Sequence, residues 1–183
     1  MGASRRAAGK FGRRLVGLTL AVVVSGACGG GLTSFDGAVY RNGSVGFRVG
    51  RVPAGWAPIN VPNASLAYRD DAHEASALVN GRCGAKDGDT PLLALNNHLV
   101  MGTTEREIVT QETIPFDARE ALHTRMNAKL DGVPRSFDIY VLKKDGCVYD
   151  FVYVAPPALL LEGVDAFEAF VREFRTLPGS GAS

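Results

Sequence analysis

The run over residues 15–24, at ten residues, is too short to cross a membrane as a helix in this 183-residue chain, since a span needs about 20 apolar residues. Cysteine is scarce too. The three present, Cys28, Cys83 and Cys147, form no CxxC pair, which argues against a thioredoxin-like redox centre. The three histidines, His73, His98 and His123, show neither HExxH nor HxH spacing, so a zinc enzyme is not indicated. There is no G-x-S-x-G turn to present a hydrolase nucleophile. The glycines at 29–31 lack the Lys-Ser/Thr ending of a phosphate loop. No repeat or low-complexity block occurs.

What is present begins at the N-terminus. Arg5, Arg6, Lys10, Arg13 and Arg14 precede the short apolar run, and Ser25-Gly26-Ala27-Cys28 follows it. A basic start, a short apolar stretch and small residues make an export signal. The ending resembles the lipobox of bacterial lipoproteins, with Ser25 where leucine is usual. That resemblance implies cleavage before Cys28, a lipid on its thiol and an acylated new amine. An ordinary cut after Ala27 is the alternative. The arginine pairs lack the rest of a twin-arginine motif. Two lipid signals suffice for stable anchoring, so Cys28 is expected to hold the protein on a membrane. Gly29 is not the Asp that resembles an inner-membrane retention signal, which implies an outer-membrane lipoprotein facing the periplasm or the cell surface. Residues 28–37, glycine-rich at the start, read as a tether.

The formal charge of +1 includes five cations in residues 1–27, without which it falls to −4. A mildly acidic exported chain is poorly suited to nucleic acid. The 156 residues that remain suit one domain. With Cys28 set aside, Cys83 and Cys147 are an even number in an oxidising compartment, and a structural disulfide between them is expected; two separate thiols are the alternative.

The chain opens with strands. Residues 38–40 and 45–49 flank Arg41-Asn42-Gly43-Ser44, and Asn-Gly favours a hairpin. Pro53 and Pro58 interrupt the pattern around Trp56, which is expected to plug one end of the core. Residues 65–68 and 75–80 read as strands around the polar turn 69–74. A helix is predicted over 91–101, capped by Thr90 with Pro91 in its first position and Leu92, Leu95 and Leu99 on its inner face. From Glu105 the period becomes two, with Glu107, Val109 and Gln111 opposite Ile108 and Thr110. Three meander strands follow, over 120–129, 135–142 and 147–154, turning through Asp131-Gly132 and Asp145-Gly146. The last has two apolar faces and is expected to be central. A second helix from Asp165 places Phe167, Phe170, Val171 and Phe174 on one face. The result is an α+β domain, an antiparallel sheet with a long C-terminal meander covered by two helices, over residues 38–178. Residues 179–183 read as a flexible tail.

The segment Gly46-Phe47-Arg48-Val49 followed by Val52-Pro53-Ala54-Gly55-Trp56 resembles the opening of PsbP-like proteins, as does the closing meander with its phenylalanine-bearing helix. The resemblance covers about residues 38–177 and implies an α/β/α sandwich. It also implies binding and assembly roles rather than catalysis, and no functional residue of that family maps onto this chain.

The densest group of candidate ligands is Asp70, Asp71, His73 and Glu74, which could hold a divalent cation but read first as a solvated acidic loop. Asp117, Arg119, Glu120 and Arg125 read as an exposed face with cross-strand ion pairs. Tyr140, Tyr149 and Tyr153 read as sheet core. No metal, cofactor or catalytic residue is expected. The reading is a non-catalytic envelope protein that binds a protein partner, with a small-ligand or metal-binding protein as the alternative and an enzyme behind both.

Overall fold

The strand with two apolar faces, β10 (Cys147–Ala155), is the middle of a seven-stranded antiparallel sheet. The computed structural model describes residues 33–43, 45–84 and 89–180. The signal segment, Cys28 and residues 28–32 of the expected tether lie outside the described residues, as do 181–183. On one side of β10 the sheet continues through β6 (Ala75–Cys83), β5 (Leu66–Asp70) and the edge strand β4 (Trp56–Pro58). On the other it runs through β9 (Val133–Lys144), β8 (Arg119–Leu130) and the edge strand β7 (Thr103–Phe116). Pro58 lies on an edge, where its missing N–H is tolerated.

The meander strands run further than their hydrophobic pattern indicates, right up to two-residue turns. Leu130 pairs with Val133 and Lys144 with Cys147. The residues between them have positive φ, 51° and 79° at Asp131-Gly132 and 53° and 74° at Asp145-Gly146. This is the backbone that matches the strands' right-handed twist. Asp117-Ala118, read from sequence as strand, forms a third such turn between β7 and β8, at 46° and 58°.

Side chains from alternate positions of β10 feed two cores. Tyr149, Phe151 and Tyr153 are buried against Phe167 and Phe170 of α2 (Leu160–Arg172) and against Phe47. Val148 points the other way, with Met126, Phe137, Ile139 and Val141, under Leu95 of α1 (Leu92–Leu99). One helix thus covers each face, as an α/β/α sandwich requires. Trp56 stacks on Tyr153 and packs against Tyr68 and Phe170, closing the α2-side core as expected.

Several expectations are corrected. Helix α2 begins at Leu160, five residues early, and buries Leu160, Gly163 and Val164 as well; Gly163 and the neighbouring Pro156-Pro157 mask this turn in the sequence. Phe174 is buried but lies beyond the helix. Pro91, not Thr90, occupies the cap position of α1, with no side-chain cap bond, and the Thr90 carbonyl accepts from Lys143 instead. Strand β7 does not keep a period of two, because its register against β8 shifts between Thr104 and Glu107 and between Ile108 and Thr110. The extra residue at each bulge breaks the alternation.

A second sheet was not foreseen. It joins β1 (Ser34–Phe35), β2 (Val39–Asn42), β3 (Val45–Arg48) and β11 (Arg175–Thr176) in that order. Residues 34–35 of the expected tether are therefore strand, and Asp36 accepts the backbone N–H groups of Ala38 and Val39. The tail is held as far as Ser180, whose hydroxyl donates to the Gly46 carbonyl at 2.7 Å.

Candidate functional site

The four acidic-turn candidates do not share a site. Asp70 ends β5 and is only 3% exposed. Its Oδ2 lies 2.7 Å from His73 Nδ1 and accepts the Tyr153 hydroxyl at 2.8 Å. Asp71 is exposed and pairs with Arg69, while Glu74 is exposed in the left-handed conformation that closes the turn. Among the described residues no group of three or more His, Cys, Asp or Glu is placed to hold a metal. The solvated-loop reading thus holds for Asp71 and Glu74 and fails for Asp70, which is buried and ties the turn at His73 to Tyr153 of β10. Burial pushes the Asp70 carboxyl up, but the bonds from His73 and Tyr153 outweigh it and hold the group below the ordinary carboxylate range. Burial and the neighbouring Asp70 together raise the Tyr153 hydroxyl.

Gly163 explains how α2 docks on this group. A β-carbon there would collide with the Tyr153 hydroxyl and meet His73 Cγ at 2.8 Å. The helix approaches the Asp70–His73–Tyr153 group closely because this position carries no side chain.

A second polar group lies under the C-terminal half of α2. Asp138 is 0% exposed, accepts from Arg125 Nε at 2.6 Å and lies 3.0 Å from His123 Nε2. Arg125 also bonds Glu168 of α2, and the His123 ring stacks on Tyr140 at 4.1 Å. Arg125 thus makes the expected cross-strand ion pair, with Asp138, but is half-buried rather than on an exposed face, while Arg119 and Glu120 are exposed. Burial, then Asp138 and Glu168, raise the Tyr140 hydroxyl. A cleft of about 210 Å³ beside it is lined by Ile114, Phe116, Tyr140, Glu168 and Arg172. Counting out from a two-residue Asp131-Gly132 turn sets Arg125 opposite Asp138; that register was the available signal.

On the opposite face, Asp150 of β10 is buried and accepts from Arg82 Nη1 at 2.8 Å. Burial pushes its carboxyl up to about 6, with Arg82 pulling the other way. Beside it, between α1 and β6, is a cleft of about 380 Å³. Near the hairpin turns, the Asp117 carboxylate binds Lys144 Nζ at 2.8 Å and the Thr176 N–H at 2.9 Å, tying β11 to the meander. Cys83 and Cys147 are directly opposite on β6 and β10 and are joined as a disulfide.

Among the described residues, five of the eight exposed large apolar side chains lie on or next to β7 and the β8–β9 turn. Met101, Leu130 and Val133 are exposed at the end of the sheet where β7 begins, and Ile108 and Val109 are exposed further along β7. Thr103 pairs with Leu130 and Leu130 with Val133, so these positions are neighbours. Glu105, Arg106, Glu107 and Lys129 surround them in the same strands.

No protein-family model and no curated protein matches the chain. Solved structures do. The cyanobacterial PsbP protein of Synechocystis has a TM-score of 0.56 at 16% identity, covering 84% of this chain and 99% of its own. The Saccharomyces cerevisiae Ran-binding protein Mog1p has a TM-score of 0.52 at 14% identity, covering 73% and 90%. At such identities the likeness shows the fold, which is PsbP-like.

Proposed function

We propose that this chain is a lipid-anchored cell-envelope protein, held at Cys28, whose PsbP-like domain is a non-catalytic interaction or assembly module for an envelope protein partner. The observation that carries the reading is a set of exposed apolar residues, Met101, Leu130 and Val133 at one end of the sheet and Ile108 and Val109 further along β7, with charged residues among them in the same strands. Exposed apolar area of this kind, rimmed by polar groups, marks interaction surfaces. The export signal, the cysteine that follows it and the Cys83–Cys147 disulfide support an oxidising compartment outside the cytoplasm. The Gly29 that follows Cys28 favours the outer membrane. A protein of similar fold, Mog1p, is Ran-binding, which supports binding as a use of this architecture without specifying a partner here.

The test is affinity recovery of the anchored protein from crosslinked cells. The reading expects one recurrent envelope protein, lost when Val109→Asp and Val133→Asp are combined and retained in a control substitution at exposed Leu161. Equal recovery from the double variant would set this surface aside.

A further inference from the structure

The two helices cover the sheet unequally. Helix α2 has thirteen residues and buries Leu160, Val164, Phe167, Phe170 and Val171 in the larger core. Helix α1 has eight, and a helix that short is not stable in water by itself. Its N-cap residue, Pro91, makes no side-chain cap bond. What holds α1 is therefore its inner face, made by buried Leu95, the partly buried Leu92 and Leu99, and Asn96.

Asn96 is the anomaly. It is 0% exposed, and neither its amide oxygen nor its amide nitrogen meets a hydrogen-bond partner among the described residues. The other buried polar residues, Asp70, Thr103, Thr124, Ser136, Asp138 and Asp150, each hold at least one side-chain bond. Closing α1 on the sheet takes both amide atoms out of water and returns no bond, a cost that opening recovers. The carbonyls flanking the helix are tied down, Thr90 by Lys143 and Val100 by Thr103 and Arg106. Beneath α1 lie Met126, Phe137, Ile139, Val141 and Val148, on strands β8, β9 and β10 that pair with one another along their length. These strands keep their ladders, and their opposite face keeps the larger core, whether or not α1 is seated.

We propose that α1 is a lid that lifts from the sheet between the fixed points at Thr90 and Val100 while the sheet and the α2 core stay folded, with Asn96 setting how readily it opens. The open form bares the apolar strip Met126, Phe137, Ile139, Val141 and Val148. This device does not depend on the partner surface along β7, so either assignment stands or falls without the other.

Native-state hydrogen exchange of the purified full chain, followed amide by amide, tests this. Relative to their intrinsic rates, the hydrogen-bonded amides of α1 are expected to exchange about 100-fold or more faster than those of β10. Urea below the unfolding transition is expected to speed exchange in β10 and leave α1 nearly unchanged, because lifting one short helix exposes little surface. Asn96→Leu, similar in size and without polar atoms, is expected to slow exchange in α1 about tenfold or more. Equal protection and equal urea dependence in α1 and β10 would overturn the proposal, since α1 would then open only with the whole fold. An Asn96→Leu variant that is folded by circular dichroism but exchanges in α1 as fast as the parent, or faster, would also overturn it, because the amide would then be satisfied in the closed form. If that variant does not fold, the comparison of α1 with β10 in the parent chain decides.

Discussion

At Gly163 a single missing methyl group lets helix α2 meet the sheet. Alanine there raises helix propensity by ~1 kcal/mol, yet its β-carbon would collide with a tyrosine held by Asp70 and by ring stacking on Trp56 and Phe167. Overpacking costs about 1–3 kcal/mol, so after the gain in propensity Gly163→Ala is expected to lower stability in urea unfolding by ~1 kcal/mol. Ala118 is the opposite case. Its φ of 58° costs an L-residue about 1–2 kcal/mol, part of which glycine returns as unfolded-state entropy. Ala118→Gly is expected to raise stability by ~0.5–1 kcal/mol in the same assay. The buried aspartates differ in sign. Asp150 in the folded chain keeps its proton to about pH 6, against 3.8 ordinarily, so its contribution to stability declines as pH rises from about 4 to about 6. By ~1.4 kcal/mol per unit the decline approaches 3 kcal/mol, and unfolding curves of Asp150→Asn should lack it. Asp70, held below its ordinary value, contributes stability that is present above about pH 4 and lost as pH falls through its folded value.

Among the elements, the disulfide joins opposite residues of β6 and β10 and closes 64 residues of sequence. The chain-entropy relation gives ~4 kcal/mol for such a loop. Denaturant unfolding of the Cys83→Ala, Cys147→Ala double variant should show a loss of up to that size. The meander, the central place of β10 and the helix on each face were legible because Asp-Gly turns and alternating side chains are local signals. The second sheet was not. Its strands β1 and β11 are two residues each, too short to show a period, and β11 pairs with β3 across most of the chain. The bulges of β7 hid its true facing for a related reason, since one inserted residue leaves composition unchanged. Asp70 shows the limit at a candidate site. Its sequence neighbours Asp71 and Glu74 are solvated, whereas its burial depends on Tyr153, 83 positions away.

At the scale of the whole molecule, the proposed anchor at Cys28 and the exposed apolar residues along β7 can be tested separately. Cys28→Ala is expected to shift the protein out of the washed membrane fraction. The most direct test of the interaction role places a photo-crosslinking amino acid at Val109, 59% exposed, in intact cells of the native host. The account predicts one recurrent covalent adduct with an envelope protein, absent when the same probe replaces exposed Leu161 of α2. Adducts that are equally frequent at both positions, or none at Val109 across growth conditions, would contradict it.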